Sequence, residues 1–227
     1  RKFMKKTFGK SICIIAPHPD DEVLGLGGAI RRMYLLDIEV HLLIVSGHLP
    51  PLYPIETFKN TQNECNLSAK ILGISSVKFL KISATRINQH PVADLNGQIK
   101  KFLDKTKPTT VFIPFPDRHI DHKLIFEASM VCTRPVGENY PKLVLSYETL
   151  SETDWNAPYI EPMFIPELFV DITDTFQYKL NAMKAYKSQL QNAPSRSLEA
   201  IEALARYRGS QNGFKYAEGF KVIRHLI

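Results

Sequence analysis

An α/β sandwich with a mostly parallel central sheet flanked by helices, Rossmann-like in layout, is the fold class that the 227-residue sequence predicts. Three observations carry the prediction. Short runs rich in β-branched and apolar residues recur along the chain, the segments between them hold apolar residues at threes and fours, and helix-stop residues close two of those segments. Strand, helix and strand in that order and at that length suit the right-handed crossover that parallel neighbours require.

Taken in order, strands are predicted over 11–16 (SICIIA), 39–46 (EVHLLIVS), 76–81 (SVKFLK) and 109–114 (TTVFIP). The intervening segments VLGLGGAIRRMYLLD, ETFKNTQNECNLSAKILG and VADLNGQIKKFLDKTK read as helices, the last two stopped by Gly73 and Pro108. Beyond about residue 140 the pattern loosens: KLVLSYETL and ELFVDIT read as strands, with the Pro-rich NAPYIEPMFIPE as a loop between them. A helix over 174–190, a second helical pattern around SLEAIEALARYRG and a final strand in EGFKVIRHLI complete the chain. No internal repeat or linker interrupts it, so residues 1–227 are expected to form a single domain.

Composition narrows the class. At 44% hydrophobic and 23% charged residues, the chain has the balance of a globular unit with a sizeable core. No run approaches the roughly 18 apolar residues of a membrane span, and the opening RKFMKKTFGK lacks the apolar region of a signal peptide. Cys13, Cys65 and Cys132 are odd in number and far apart, which suits reduced core thiols and a cytoplasmic location. The net charge of +6 leans on Arg1 to Lys10 and on Lys100, Lys101, Lys105 and Lys107, without interleaved aromatic residues. Solvated faces account for such runs, and no nucleic-acid partner is expected; assembly into a homo-oligomer stays open.

Chemistry is concentrated at two strand ends. PHPDDE, residues 17–22, sets His18, Asp20, Asp21 and Glu22 directly after the first predicted strand. In open parallel sheets, functional residues gather beyond the carboxyl ends of the strands. Taken alone, HPD is often a turn or a helix N-cap, with the acids complementing the helix dipole. DRHIDH, residues 117–122, then places Asp117, His119, Asp121 and His122 after the fourth strand. Loops after strands one and four lie side by side across a topological switch point, so the two clusters can converge. Two acid-histidine clusters at equivalent strand ends fit a metal site better than two independent caps.

Together, PHPDDE and DRHIDH resemble the motifs of the PIG-L/LmbE family of zinc-dependent de-N-acetylases, which remove acetyl groups from N-acetylglucosamine units of glycoconjugates. ECNLSAKILGI and GFKYAEGFKVIR are similar to further segments of that family, so the resemblance spans most of the chain. It implies a metal held by His18, Asp21 and His122, Zn²⁺ in the first instance, with Fe²⁺ or another divalent ion as alternatives. By the same resemblance Asp20 is the general base, and His119 stabilises the tetrahedral intermediate and protonates the leaving amine. Asp121 holds an imidazole in orientation and favours the His119 imidazolium, Glu22 supports the loop, and Asp117 stands behind the ligands. Two His and one Asp leave a position open, the arrangement of a catalytic rather than a structural site. An N-acetylated sugar is the implied substrate.

The chain also departs from the family. Thr61 stands where many members carry a substrate-contacting Arg, and SATRINQHP replaces an acidic, glycine-containing loop after the third strand. Arg86 is a candidate to take over recognition, with an ordinary surface role as the alternative. His48 and His90 are candidates for the pocket rim, and Trp155 for a sugar-stacking platform, against a packing role. GLGG, residues 25–28, lacks the GxGxxG spacing and reads as close helix packing. Tyr216 and Glu218 are placed beneath the site, His41 and His225 away from it. Two rival functions remain: a carbohydrate-binding protein without catalysis, and a non-haem Fe(II) oxygenase, whose chemistry usually comes on a jelly roll.

Overall fold

Strands that are apolar on both faces need cover on both faces, and the fold is built around that need. The computed structural model describes residues 2–190 and 194–227. Its seven strands are β1 (Ser11–Ala16), β2 (Glu39–Gly47), β3 (Ser76–Ser83), β4 (Thr110–Pro114), β5 (Leu143–Tyr147), β6 (Leu168–Asp171) and β7 (Ala217–His225). They form one sheet in the order β3-β2-β1-β4-β5-β7-β6. The first five run parallel, with Ile12 opposite Val40 on one side and Thr110 on the other. Strand β7 enters antiparallel between β5 and β6, so the C-terminal part of the chain joins the same sheet.

Alternation along β1 divides the core into two layers. Ile12, Ile14 and Ala16 face a cluster shared with α2 (Asp21–Tyr34), α3 (Ile55–Leu72), α6 (Phe176–Ala185) and α7 (Leu198–Ser210). Cys13 and Ile15 face the opposite cluster, covered by α4 (Val92–Thr106) and α5 (Ile120–Cys132). Strand order reverses at β1, whose following helix goes to one face while α5, after β4, goes to the other. The crevice between those two strand ends is the switch point. Among the described residues, no helix is long and apolar enough to cross a membrane.

Local rules account for most element ends. Gly73 closes α3 in the left-handed conformation (φ 83°) and returns its N–H to Ala69, as a C-cap glycine does. GLGG packs closely: a Cβ on Gly25 would enter the Tyr147 ring, and one on Gly28 would come within 2.7 Å of Ile172. The structure departs from expectation at the N-terminus and at the end of α6. The N-terminal basic run contains a helix, α1 (Lys2–Phe8), while Arg1 lies outside the described residues. The helix predicted to Leu190 stops at Ala185, because Tyr186 leaves helical geometry (φ −84°, ψ 65°) and buries its ring. All three cysteines are buried and free of disulfides.

Candidate metal centre

Both motifs emerge at the switch point, and their side chains interlock. His18 and Asp20 occupy the turn between β1 and α2, and Asp21 opens α2. Asp117 and His119 occupy the turn after β4, and His122 lies in the first turn of α5. Asp21 Oδ2 stands between two imidazoles, 3.3 Å from His18 Nδ1 and 3.4 Å from His122 Nε2. The three ligating atoms all lie within 4.8 Å of one another. That donor set, two imidazole nitrogens and one carboxylate, suits Zn²⁺ and is also used for Fe²⁺.

Each imidazole is backed by a carboxylate of the second motif. His18 Nε2 donates to Asp121 Oδ2 at 2.9 Å, and His122 Nδ1 donates to Asp117 Oδ2 at 2.9 Å. Such bonds orient the rings so that the remaining nitrogens, His18 Nδ1 and His122 Nε2, face Asp21. The carboxylates are themselves anchored: Asp121 accepts the Thr85 N–H at 2.7 Å, and Asp117 accepts the His119 N–H and the Thr153 hydroxyl.

Electrostatics at this cluster favour cations. Burial opposes charge on His18 and His122, yet the carboxylates around them win and raise them to about 9 and about 10. Burial would likewise raise Asp21, but the two histidines hold it well below the usual carboxylate range. A field that gathers two protons around one carboxylate is the field into which a divalent cation fits, displacing those protons.

Asp20 is different in kind. It has φ 114°, a left-handed conformation rare outside glycine, and its side chain is buried. Its N–H donates to Glu22 Oε2 at 3.1 Å, and Glu22 Oε1 accepts the Tyr186 hydroxyl at 2.5 Å. Burial raises Asp20 to about 7, with Arg196 pulling downward from 3.4 Å. Glu22 is raised to about 8 by burial, against the Tyr186 hydrogen bond.

The imidazole that Asp121 holds by a side-chain bond is that of His18. Asp121 bonds its carboxylate to His18 and its backbone N–H to His119, whose Nδ1 accepts it at 3.1 Å, while the same carboxylate stays within 4.8 Å of a His119 nitrogen and favours its charged form. A ring nitrogen that accepts carries no proton, so His119 is a neutral imidazole here. Burial, followed by the positive charge of His18 and His122, lowers it to about 4.

A cavity of about 170 Å³ opens over this cluster, lined by His18, Asp20, Asp21, His119 and His122 together with His48, Tyr53, Thr85, Glu152, Gln189 and Arg196. His48 therefore reaches the rim, with its ring edge on Tyr53. Arg86 does not: its Nε donates to Gln89, and it lines a separate depression with Pro50 and His90. Trp155 is outside the lining too, 54% exposed, with the Arg118 guanidinium 5.4 Å over its ring. Thr61 is buried and donates back to its own helix, so it contributes nothing to the cavity. Tyr216 stacks on Phe176 and reaches Glu202 instead of packing beneath the site.

Arg196, Glu152, Gln189 and Tyr186 are among the contributors that motif reading missed, as are Tyr53 and Thr85; the first four lie far along the chain. They sit in turns near Thr153–Trp155, after α6 and in Pro194–Arg196, far from either motif in sequence, and no local spacing marks them. The connection after β5 brings Glu152 to the crevice, and the return of the C-terminal helices over β1 brings the other three.

Fold and site together define an α/β protein with a candidate three-ligand metal centre at the switch point of a mostly parallel sheet. The particular family follows from residues 13–133, which match the PIG-L family model, GlcNAc-PI de-N-acetylase: the chain belongs to that family. It is 28% identical over 235 residues to the diacetylchitobiose deacetylase of Thermococcus kodakarensis, covering 94% of this chain and 83% of the relative. Among solved structures it resembles N,N'-diacetylchitobiose deacetylase from Pyrococcus horikoshii with TM-score 0.78 and 24% identity, over 96% of this chain and 85% of that one. GalB, the 4-carboxy-2-hydroxymuconate hydratase from Pseudomonas putida KT2440, is nearly as similar in fold, with TM-score 0.77 at 18% identity over 96% and 98% of the two chains. One fold thus serves both deacetylation and hydration, and the site must discriminate between them.

Proposed function

We propose that the protein is a metal-dependent amide hydrolase that removes the N-acetyl group of a GlcNAc-type amino sugar, with Zn²⁺ held by His18, Asp21 and His122. The observation that carries this reading is the joint placement around one cavity of a three-donor set, the buried Asp20 and His119, whose Nδ1 is occupied by the Asp121 N–H. Its membership of a de-N-acetylase family supports the reaction class, and a relative named for diacetylchitobiose supports an acetamido sugar.

When bound, the ion would supply Lewis acidity toward the acetamide carbonyl and acidify water. Asp20 accepts the proton of the attacking water; Arg196 opposes the rise that burial imposes on its carboxylate, and a cation alongside would draw it lower still. His119, with Nδ1 committed to the Asp121 N–H, offers its other nitrogen as an N–H donor to the oxyanion. The proton taken up by Asp20 passes to the departing amine, which closes the proton balance without requiring a charged His119. His48, Tyr53, Gln189 and Arg196 are the side chains placed to receive sugar hydroxyls.

Acetate release from N-acetylglucosamine, diacetylchitobiose and UDP-N-acetylglucosamine, with and without chelator, tests the proposal. Turnover lost on chelation, restored by Zn²⁺ and lost in Asp20→Asn is expected. Tight sugar binding without acetate release from zinc-loaded protein would instead make it a binding protein. Oxygenase chemistry finds no support in the fold, which is a mostly parallel sheet covered by helices rather than a jelly roll.

A further inference from the structure

Helix α2, which begins with Asp21, is broken. Leu26 has φ −148° and ψ 23°, outside helical geometry, so Asp21–Gly25 and Gly27–Tyr34 are two segments in succession. A break of this kind deprives carbonyls before it and N–H groups after it of intrahelical partners, and in a buried helix those groups need others.

One buried ion pair fills both needs. Lys179 Nζ, from α6, donates to the Leu24 carbonyl at 2.9 Å and to Glu218 Oε1 at 2.6 Å. Glu218, from β7, accepts the Gly28 N–H at 3.0 Å and the Ala29 N–H at 2.7 Å. Thr175 adds a hydroxyl donated to the Gly28 carbonyl at 2.8 Å. The signs match the backbone dipoles: an ammonium at the carboxyl end of the first segment and a carboxylate at the amino end of the second. The two side chains are 4% and 3% exposed. A buried pair of this kind is weak evidence for stability, since an apolar replacement is often neutral, and its contribution here is directional.

We propose that Lys179 and Glu218 are positioning residues for the metal centre: they splint the break in α2 and so set the first segment, with Asp20 and Asp21, against His122. This rests on the reading of Asp21 as a ligand given above. The splint itself is independent of any ion.

Lys179→Met, Glu218→Gln and the exchanged pair Lys179→Glu/Glu218→Lys test it, with Ile201→Val as a core control on the same face of the sheet. Two readouts are used: Zn²⁺ affinity by competition with a chromophoric chelator, and amide exchange across residues 20–25. The single variants should bind Zn²⁺ at least tenfold more weakly, lose kcat with KM within twofold, and exchange faster at 20–25. Ile201→Val should lose thermal stability with neither effect. The exchanged pair keeps the Coulomb attraction but puts an ammonium against the Gly28 and Ala29 N–H groups, so it should not restore affinity. Unchanged exchange at 20–25 in both single variants, or full recovery in the exchanged pair, would overturn the proposal. Lys179→Arg retains charge and donors, and should recover affinity in part. Wild-type protein that binds no Zn²⁺ would count against the metal reading, while faster exchange in the variants would still support the splint.

Discussion

The two motif loops occupy equivalent places at neighbouring strand ends, yet they are built in opposite ways. The loop after β1 is strained and externally braced: Asp20 sits at φ 114°, held through Glu22 by Tyr186, and α2 breaks five residues after it begins and is bridged by Lys179 and Glu218. The loop after β4 is capped locally and unstrained, with Thr85 and Thr153 adding bonds to its carboxylates from outside. His119 caps α5 with its own side chain, and Asp117 binds back to the His119 N–H. Under the roles proposed for Asp20 and Asp21, strain collects where a proton acceptor and a ligand would be aimed from adjacent residues, and regular capping suffices where carboxylates stand behind rings.

Substitutions can break or sharpen that contrast. The largest effect is expected for His122→Ala, which removes a donor of the three-atom set; bound Zn²⁺ by elemental analysis and acetate release should both fall to background. Asp20→Asn comes next. It should keep the metal and lower kcat by about 10²–10⁴, the usual contribution of a general base, in single-substrate kinetics. Asp117→Asn and Asp121→Asn should weaken Zn²⁺ affinity by about 10–100-fold without abolishing it, the range for carboxylates that orient ligating histidines, measured by chelator competition. Equal loss on substituting Asp121 and His122 would erase the distinction between a side chain that holds the ion and an acid that stands behind one. Tyr186→Phe removes one hydrogen bond to a buried carboxylate, for which about 1–3 kcal/mol of stability is expected in denaturant unfolding. Arg86→Ala, outside the cavity, should change kcat/KM by less than about twofold, in line with the small effects of ordinary surface changes.

The parallel half of the fold was legible for a physical reason. Strands buried on both faces must be apolar almost throughout, as Ile12–Ala16 are, and the helices that cover them must keep an apolar stripe, so pattern and position agree. Helix α1 escaped because its charges hide a short stripe, and the early end of α6 escaped because Tyr186 is recruited by Glu22, 164 residues away. Both motifs were legible because the acids and histidines of each lie within six consecutive residues, although the bond between His18 and Asp121 joins one motif to the other across 103 residues. Arg196, Glu152 and Gln189 were not, since each reaches the cavity from a turn without local pattern.

By itself the sequence determined the alternation of strand and helix, the placing of acids and histidines just beyond two strand ends, and the family resemblance those motifs carry. These are local properties, set by backbone propensity, hydrophobic period and short spacing. Tertiary structure alone decided that Asp121 backs His18 rather than His119, that Arg196 rather than Arg86 overlooks the cavity, and that Lys179 meets Glu218 beneath the break in α2. Those outcomes depend on which surfaces are brought together when the C-terminal helices return over β1, and a contact between distant residues leaves no period or spacing in the chain to be read.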